Sequence, residues 1–209
     1  RKEGLNANVN MGYGQGRFGK YNAGFSFSAK DKLYNLYLNY TFLYRKVFSN
    51  LILTRNFSKQ DTLTSVFETN NYFTRFYNTH TPTLGADLYL SKKTTLSFSG
   101  TGLIDLTNLA APHNHTNILD GNRNKTNSSN FRQNITDNWF NYSGNAHLHH
   151  QFDSTGKELS INVDYAKYWE NENQEATTIL NDANNNFINQ SILNGVLRGK
   201  TNIYALETD

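Results

Sequence analysis

The chain has 209 residues and a formal net charge of +3, with 37% hydrophobic, 14% aromatic and only 18% charged residues. Fourteen Phe, thirteen Tyr and two Trp supply far more apolar surface than a disordered chain carries, and the lack of cysteine removes disulfides, thiolate metal sites and cysteine nucleophiles together. No stretch approaches the roughly 18 consecutive apolar residues of a membrane-crossing helix, so no helix of this chain spans a bilayer.

Period two governs the chain from its start. Leu5, Ala7, Val9, Met11 and Tyr13 alternate with Asn6, Asn8, Asn10 and Gly12. The next run alternates Tyr21, Ala23, Phe25, Phe27 and Ala29 with Asn22, Gly24, Ser26 and Ser28. Both patterns predict strands with one apolar face. A third strand begins with Tyr34, Leu36, Leu38, Tyr40, Phe42 and Tyr44 and continues to about Phe57, while its partner runs back from about Thr62 to Leu84, Ala86, Leu88 and Leu90. Further strands are predicted over about Thr94 to Thr107, Asp137 to Phe152 and Glu158 to Glu170, with an eighth starting near Lys200.

The connections are predicted to alternate in length. Asp31-Lys32, Lys92-Lys93 and residues 153–157 read as tight turns, whereas the Asn-rich segments Asn108 to Thr136 and Asn171 to Gly195 read as long loops. Short turns at one end and long loops at the other mark outer-membrane barrels. Charge placement agrees with such a barrel: Arg45, Asp87 and Asp164 fall on the polar parity of their strands. Lys167 is the exception and is expected near a strand end, where a lysine snorkels. Strands of 9 to 11 residues or more suit a bilayer better than a sandwich, whose strands run about 5 to 6 residues. Tyr34, Tyr44, Trp139, Phe140, Phe152, Tyr168 and Trp169 are predicted to form interfacial aromatic girdles.

No motif points to catalysis, so the chain is expected not to be an enzyme and to need no cofactor. Gly14-Gln15-Gly16-Arg17-Phe18-Gly19 matches G-x-G-x-x-G, but period-two sequence follows where a dinucleotide site needs a helix. Asp182, Asn184 and Asn186 have calcium-loop spacing, yet Phe187 and Leu193 stand at the Gly and Glu positions of that loop. Asp120, Asn122 and Asn124 fail in the same way, with Lys125 at the Gly position. His147 and His149 share one face of a strand, but no third metal ligand is identifiable and the site is expected to hold no metal. His113, His115, Arg123 and Trp169 are the candidate ligand-binding residues, all read as loop positions. The small positive charge forms no stripe, which argues against a nucleic-acid partner.

Four segments, Tyr21 to Gly24, Leu84 to Leu96, Gly156 to Tyr165 and Asn202 to Asp209, resemble the barrel of Bacteroidetes TonB-dependent-receptor-like outer-membrane proteins. The resemblance is one of repeated hairpins and carries no catalytic signature. It implies an all-β fold, an antiparallel up-and-down transmembrane β-barrel, of which residues 1–209 form about eight strands of roughly 22. It also implies nutrient uptake at the Gram-negative outer membrane, with lipid, an inner-membrane energy-coupling protein, a surface lipoprotein and a small nutrient ligand as partners. The chain departs from that plan in having no plug, no energy-coupling box, no signal peptide and no terminal aromatic strand, and so reads as a partial barrel domain. The alternatives are a complete eight-stranded barrel with a structural or adhesive role, and a secreted carbohydrate-binding β-sandwich.

Overall fold

The computed structural model describes residues 3–153 and 156–209, with side chains throughout except at 108 and 111–113. Eight strands follow one another: β1 (Gly4–Gln15), β2 (Gly19–Lys30), β3 (Tyr34–Lys59), β4 (Thr62–Tyr89), β5 (Thr94–Asp120), β6 (Lys125–Gln151), β7 (Glu158–Asp182) and β8 (Phe187–Thr208). They form one antiparallel sheet in sequence order, each strand pairing with the next. The all-β, up-and-down reading of the sequence therefore holds. Among the described residues β1 pairs only with β2 and β8 only with β7, so the sheet is open.

Two of the predicted loops do not exist as loops. β5 continues through the Asn-rich segment to Asp120 and β6 starts at Lys125; β7 runs to Asp182 and β8 starts at Phe187, not near Lys200. Asn is depleted in strands because its side chain competes for backbone hydrogen bonds, so Asn-rich sequence reads locally as loop. Here pairing overrides that preference, from both sides for β5, β6 and β7 and from β7 alone for β8. The expected asymmetry survives in another form. All connections are short, and the strands beyond β2 overhang at one end only. The predicted turn at 153–157 includes residues 154 and 155, which lie outside the described residues.

Cross-strand pairing places the alternating residues in rows. One row joins Leu36, Ala86, Phe98, Ala146, Val163 and Leu206; the next joins Leu38, Leu84, Gly100, Gly144, Tyr165 and Tyr204. On β3 this apolar face runs from Tyr34 to Phe42, and on β6 from Phe140 to Leu148. Each stretch spans nine residues, the length that crosses a bilayer at a barrel's tilt. The opposite face carries Asn39, Thr83, Thr101 and Ser143 in one row and Asn35, Asp87, Ser97, His147 and Asn162 in another. Asn35 Nδ2 and Ser97 Oγ donate to Asp87 at 3.0 and 2.8 Å, and Asn145 Nδ2 donates to Asp164 at 2.8 Å, so carboxylates on this face are satisfied within it. At Gly85 the Tyr37 ring lies directly over the backbone and occupies the space of a Cβ, a cross-strand aromatic shielding a glycine.

No second layer covers the apolar face. Tyr204 and Leu206 are 75% and 72% exposed, and the few buried apolar residues, Val66, Leu119 and Ala176, all lie in the overhang. Facing glycines Gly100 and Gly144 leave an apolar depression of about 730 Å3 walled by Phe27, Leu38, Phe98, Val163 and Tyr165. Lys167 is a departure from expectation. It lies on the apolar face well inside β7, opposite Tyr142, with its ammonium 5.6 Å from the Tyr142 ring centroid. A cation over an aromatic face is partly compensated for its lost water.

Above Phe42 the β3–β4 hairpin extends to Lys59, a further roughly 55 Å of strand at about 3.3 Å per residue. In this arm the two faces lose their separate character, and Phe48, Ile52 and Tyr72 remain on the continuation of the apolar face. The continuation of the polar face carries Leu51, Leu53, Phe57, Phe67 and Phe73, while that of the apolar face carries Asn50, Asn70, Asn130 and Asn134. The β5–β6 and β7–β8 hairpins end in one turn, built twice. Asp120 Oδ1 accepts the backbone N–H groups of Asn122 and Asn124 at 2.9 and 2.8 Å; Asp182 Oδ1 accepts those of Asn184 and Asn186 at 2.8 Å each. The residue before the last Asn, Arg123 or Asn185, has φ of 65° or 68°. A Cβ at Gly121 would meet the Leu63 carbonyl oxygen of the neighbouring hairpin, and this accounts for Gly there where the second turn has Ala183.

Candidate functional site

A polar pocket sits on the polar face just above the apolar band, where strand register gathers side chains from β4 to β7. One row joins Tyr77, Thr107, Asp137 and Glu172; the row below joins Thr79, Asp105, Trp139 and Glu170; the row above begins with Arg75, Leu109 and Ile135. Because paired residues in an antiparallel sheet lie side by side on one face, these groups converge although they span about a hundred residues of sequence. They enclose a cavity of about 300 Å3.

Hydrogen bonds fix the acidic wall. Thr79 and Thr107 hydroxyls donate to Asp105 Oδ1 at 3.1 and 3.3 Å, and the Trp139 indole N–H donates to Asp137 Oδ2 at 3.1 Å. Asp137, Glu170 and Glu172 each bring a carboxylate oxygen within 4.8 Å of the others, the one such grouping of three among the described residues. Asp137 Oδ1 is shut off from solvent and has no hydrogen-bond partner. Burial pushes the Asp137 carboxyl above its usual range, and the Asp105 charge adds to this; the indole N–H and the Arg75 charge oppose it. The opposite wall is cationic. Arg75 Nη1 donates to the Tyr77 hydroxyl at 3.4 Å, and the Arg45 guanidinium lies 4.3 Å from the Tyr77 ring centroid. The arrangement offers charges of both signs, two aromatic rings and an aliphatic floor, which suits binding of an organic ion.

The residues singled out from sequence do not meet there. His115 is in β5, its Nδ1 2.8 Å from Asn130 Oδ1 and its Nε2 3.0 Å from Asn117 Oδ1. Arg123 is at the β5–β6 turn, 3.8 Å from Glu68, an exposed pair worth at most about 1 kcal/mol. Trp169 lies in β7 on the apolar face, 5.5 Å from the Phe140 ring. The backbone of His113 pairs with Tyr72 in β5, and its side chain lies outside the described residues. None of the four occupies a long loop: His113, His115 and Trp169 lie in strands and Arg123 in a tight turn. Trp139 and Tyr168 likewise leave the predicted girdle, as their parity places them on the polar face. His147 bonds Ser160 Oγ at 3.0 Å, and His149 lies 4.0 Å from Glu158. The glycine motif forms the β1–β2 turn and is followed by strand.

What the sequence reading missed is the pocket itself. Asp137 and Glu170 were placed only as strand ends, and Asp105 and Glu172 were not singled out. Their shared parity along extended strands was the available signal. No protein-family model matches the sequence, and no curated protein matches it.

Proposed function

We propose that this chain is a section of the wall of an outer-membrane receptor or transporter barrel of Gram-negative bacteria, of the TonB-dependent nutrient-uptake kind. It binds a small ligand in the arms and lumen and carries out no chemistry of its own. The observation that carries the reading is the nine-residue apolar band on one face of a single-layer sheet, with an Asn-, Thr-, Ser- and Asp-bearing face behind it and long arms on one side. In lipid each unsatisfied backbone group costs several kcal/mol, so the open edges of β1 and β8 require partner strands. β1 has 12 residues and β8 has 22, and a direct seam between them would leave about ten of β8 unpaired. This favours a barrel of more than eight strands. In this reading the apolar face meets lipid, the short turns face the periplasm and the arms stand outside the cell. An energy-coupling protein and a surface lipoprotein remain proposed partners through the rest of such a receptor.

The test is fractionation followed by a gel of heated and unheated samples, detected with an antibody to residues 114–130. The expected result is an outer-membrane, heat-modifiable band several times heavier than this chain's 23.9 kDa. A band near that mass makes the chain a small closed barrel, and a detergent-independent soluble protein removes the membrane reading altogether.

A further inference from the structure

The pocket on the polar face is unequal in charge and mixed in surface, and both features bear on what it holds. Asp105, Asp137 and Glu172 line it against the Arg75 guanidinium, and the Arg45 guanidinium lies against the ring of Tyr77. The floor is Leu109 and Ile135, and Trp139 and Tyr77 stand at its sides. The Trp139 indole N–H orients the Asp137 carboxylate from Oδ2, and Asp137 stands beside Asp105 and Glu172 in the wall of the cavity.

We propose that this pocket binds a small organic zwitterion of amino-acid or dipeptide size, its ammonium group facing Asp105, Asp137 and Glu172 and its carboxylate facing Arg75. The ammonium supplies up to three donors to the carboxylates of the acidic wall, and it is attracted to the neighbouring aromatic faces. Arg75 and Asp137 stand on strands two apart, about 10 Å between backbones, and both line the cavity. A guanidinium there holds a carboxylate by paired hydrogen bonds. A bare divalent ion fits less well. It fills a small part of about 300 Å3, gains nothing from the aromatic and aliphatic walls, and competes with the indole for Asp137. A neutral sugar engages neither the carboxylates nor Arg75 by charge.

The proposal rests on the uptake reading for its biological setting and on the pocket alone for its chemistry. The experiment is isothermal titration calorimetry of the full-length protein in detergent with L-alanyl-L-alanine, its N-acetyl form, its C-terminal amide, glucose and calcium chloride alone. Saturable binding of the dipeptide is expected, weakened about tenfold or more by N-acetylation and about tenfold by Asp137→Asn or Glu172→Gln, the loss of one charged hydrogen bond. Arg75→Gln is expected to make the dipeptide and its amide bind alike. Each variant is first shown to keep its heat-modifiable mobility. Binding indifferent to N-acetylation, binding of calcium or glucose alone, or no binding by a heat-modifiable protein overturns the proposal. Release of the protein from membranes by carbonate would overturn the uptake reading instead, and leaves the calorimetric result standing.

Discussion

Asp120 and Asp182 close their turns by accepting the amides of residues two and four positions on, and each also accepts an amide N–H from the side chain of the last Asn. At Asp120 the Asn124 backbone N–H does most to hold the carboxyl below its ordinary value of 3.8; at Asp182 the Asn186 side chain does. The sign follows directly. An acid whose folded pKa is depressed contributes stability that is complete above its ordinary value and lost as pH falls through the lower, folded one. Hydrogen exchange at the Asn124 and Asn186 amides, corrected for intrinsic rate, is expected to stay protected at neutral pH and to lose protection below about pH 4. Asp120→Asn and Asp182→Asn should make the corresponding turn insensitive to pH over that range. These residues were legible in the sequence as failed calcium loops, because their spacing is visible and the missing Gly and Glu can be read off. That their carboxylates serve the turn's own backbone was not legible, since it depends on the left-handed residue at Arg123 and at Asn185.

At the scale of the strand, alternation specified which residues share a face, and this part of the fold was readable without coordinates for β1 to β4. The far halves of β5 to β8 were not, because Asn and Thr dominate both faces and the local preference for turns hides a pairing set by neighbouring strands. The pocket was hidden for the same reason: Asp105, Asp137 and Glu172 become neighbours only through register across three strands. Parity also separates two adjacent residues sharply. Leu84→Arg, on the apolar face in the row of Gly100 and Gly144, is expected to cost about 2 to 4 kcal/mol of membrane stability. Thr83→Arg, on the polar face, is expected to cost less than about 1 kcal/mol. Urea unfolding of the two variants in lipid vesicles checks the difference, and equal losses would remove the assignment of faces to lipid and lumen.

For the whole molecule, the long overhang sets apart two ends that differ in access. The chain has no cysteine, so single cysteines report cleanly wherever the rest of the protein contributes none. Asn122→Cys and Asn184→Cys, at the far turns, are expected to react with a membrane-impermeant maleimide on intact cells. Lys92→Cys, at the near turn, should react only after the outer membrane is opened. Labelling of all three on intact cells would contradict the proposed orientation.

Apart from Lys167, lysines and arginines also bracket the apolar band along its length. Lys32, Lys92, Lys93 and Lys157 stand at its near margin, and Lys46, Arg198 and Lys200 at its far margin. Displacing the sheet along the bilayer normal by one row in either direction would draw several of them toward hydrocarbon, each at a cost that rises to about 2 to 4 kcal/mol at the midplane. In the proposed barrel the sheet therefore has one vertical setting, and a thicker or thinner bilayer adapts to it by stretching or thinning locally rather than by letting it ride up or down. In that reading the pocket, fixed to the same strands, is held at a constant height above the lipid surface whatever the membrane's composition.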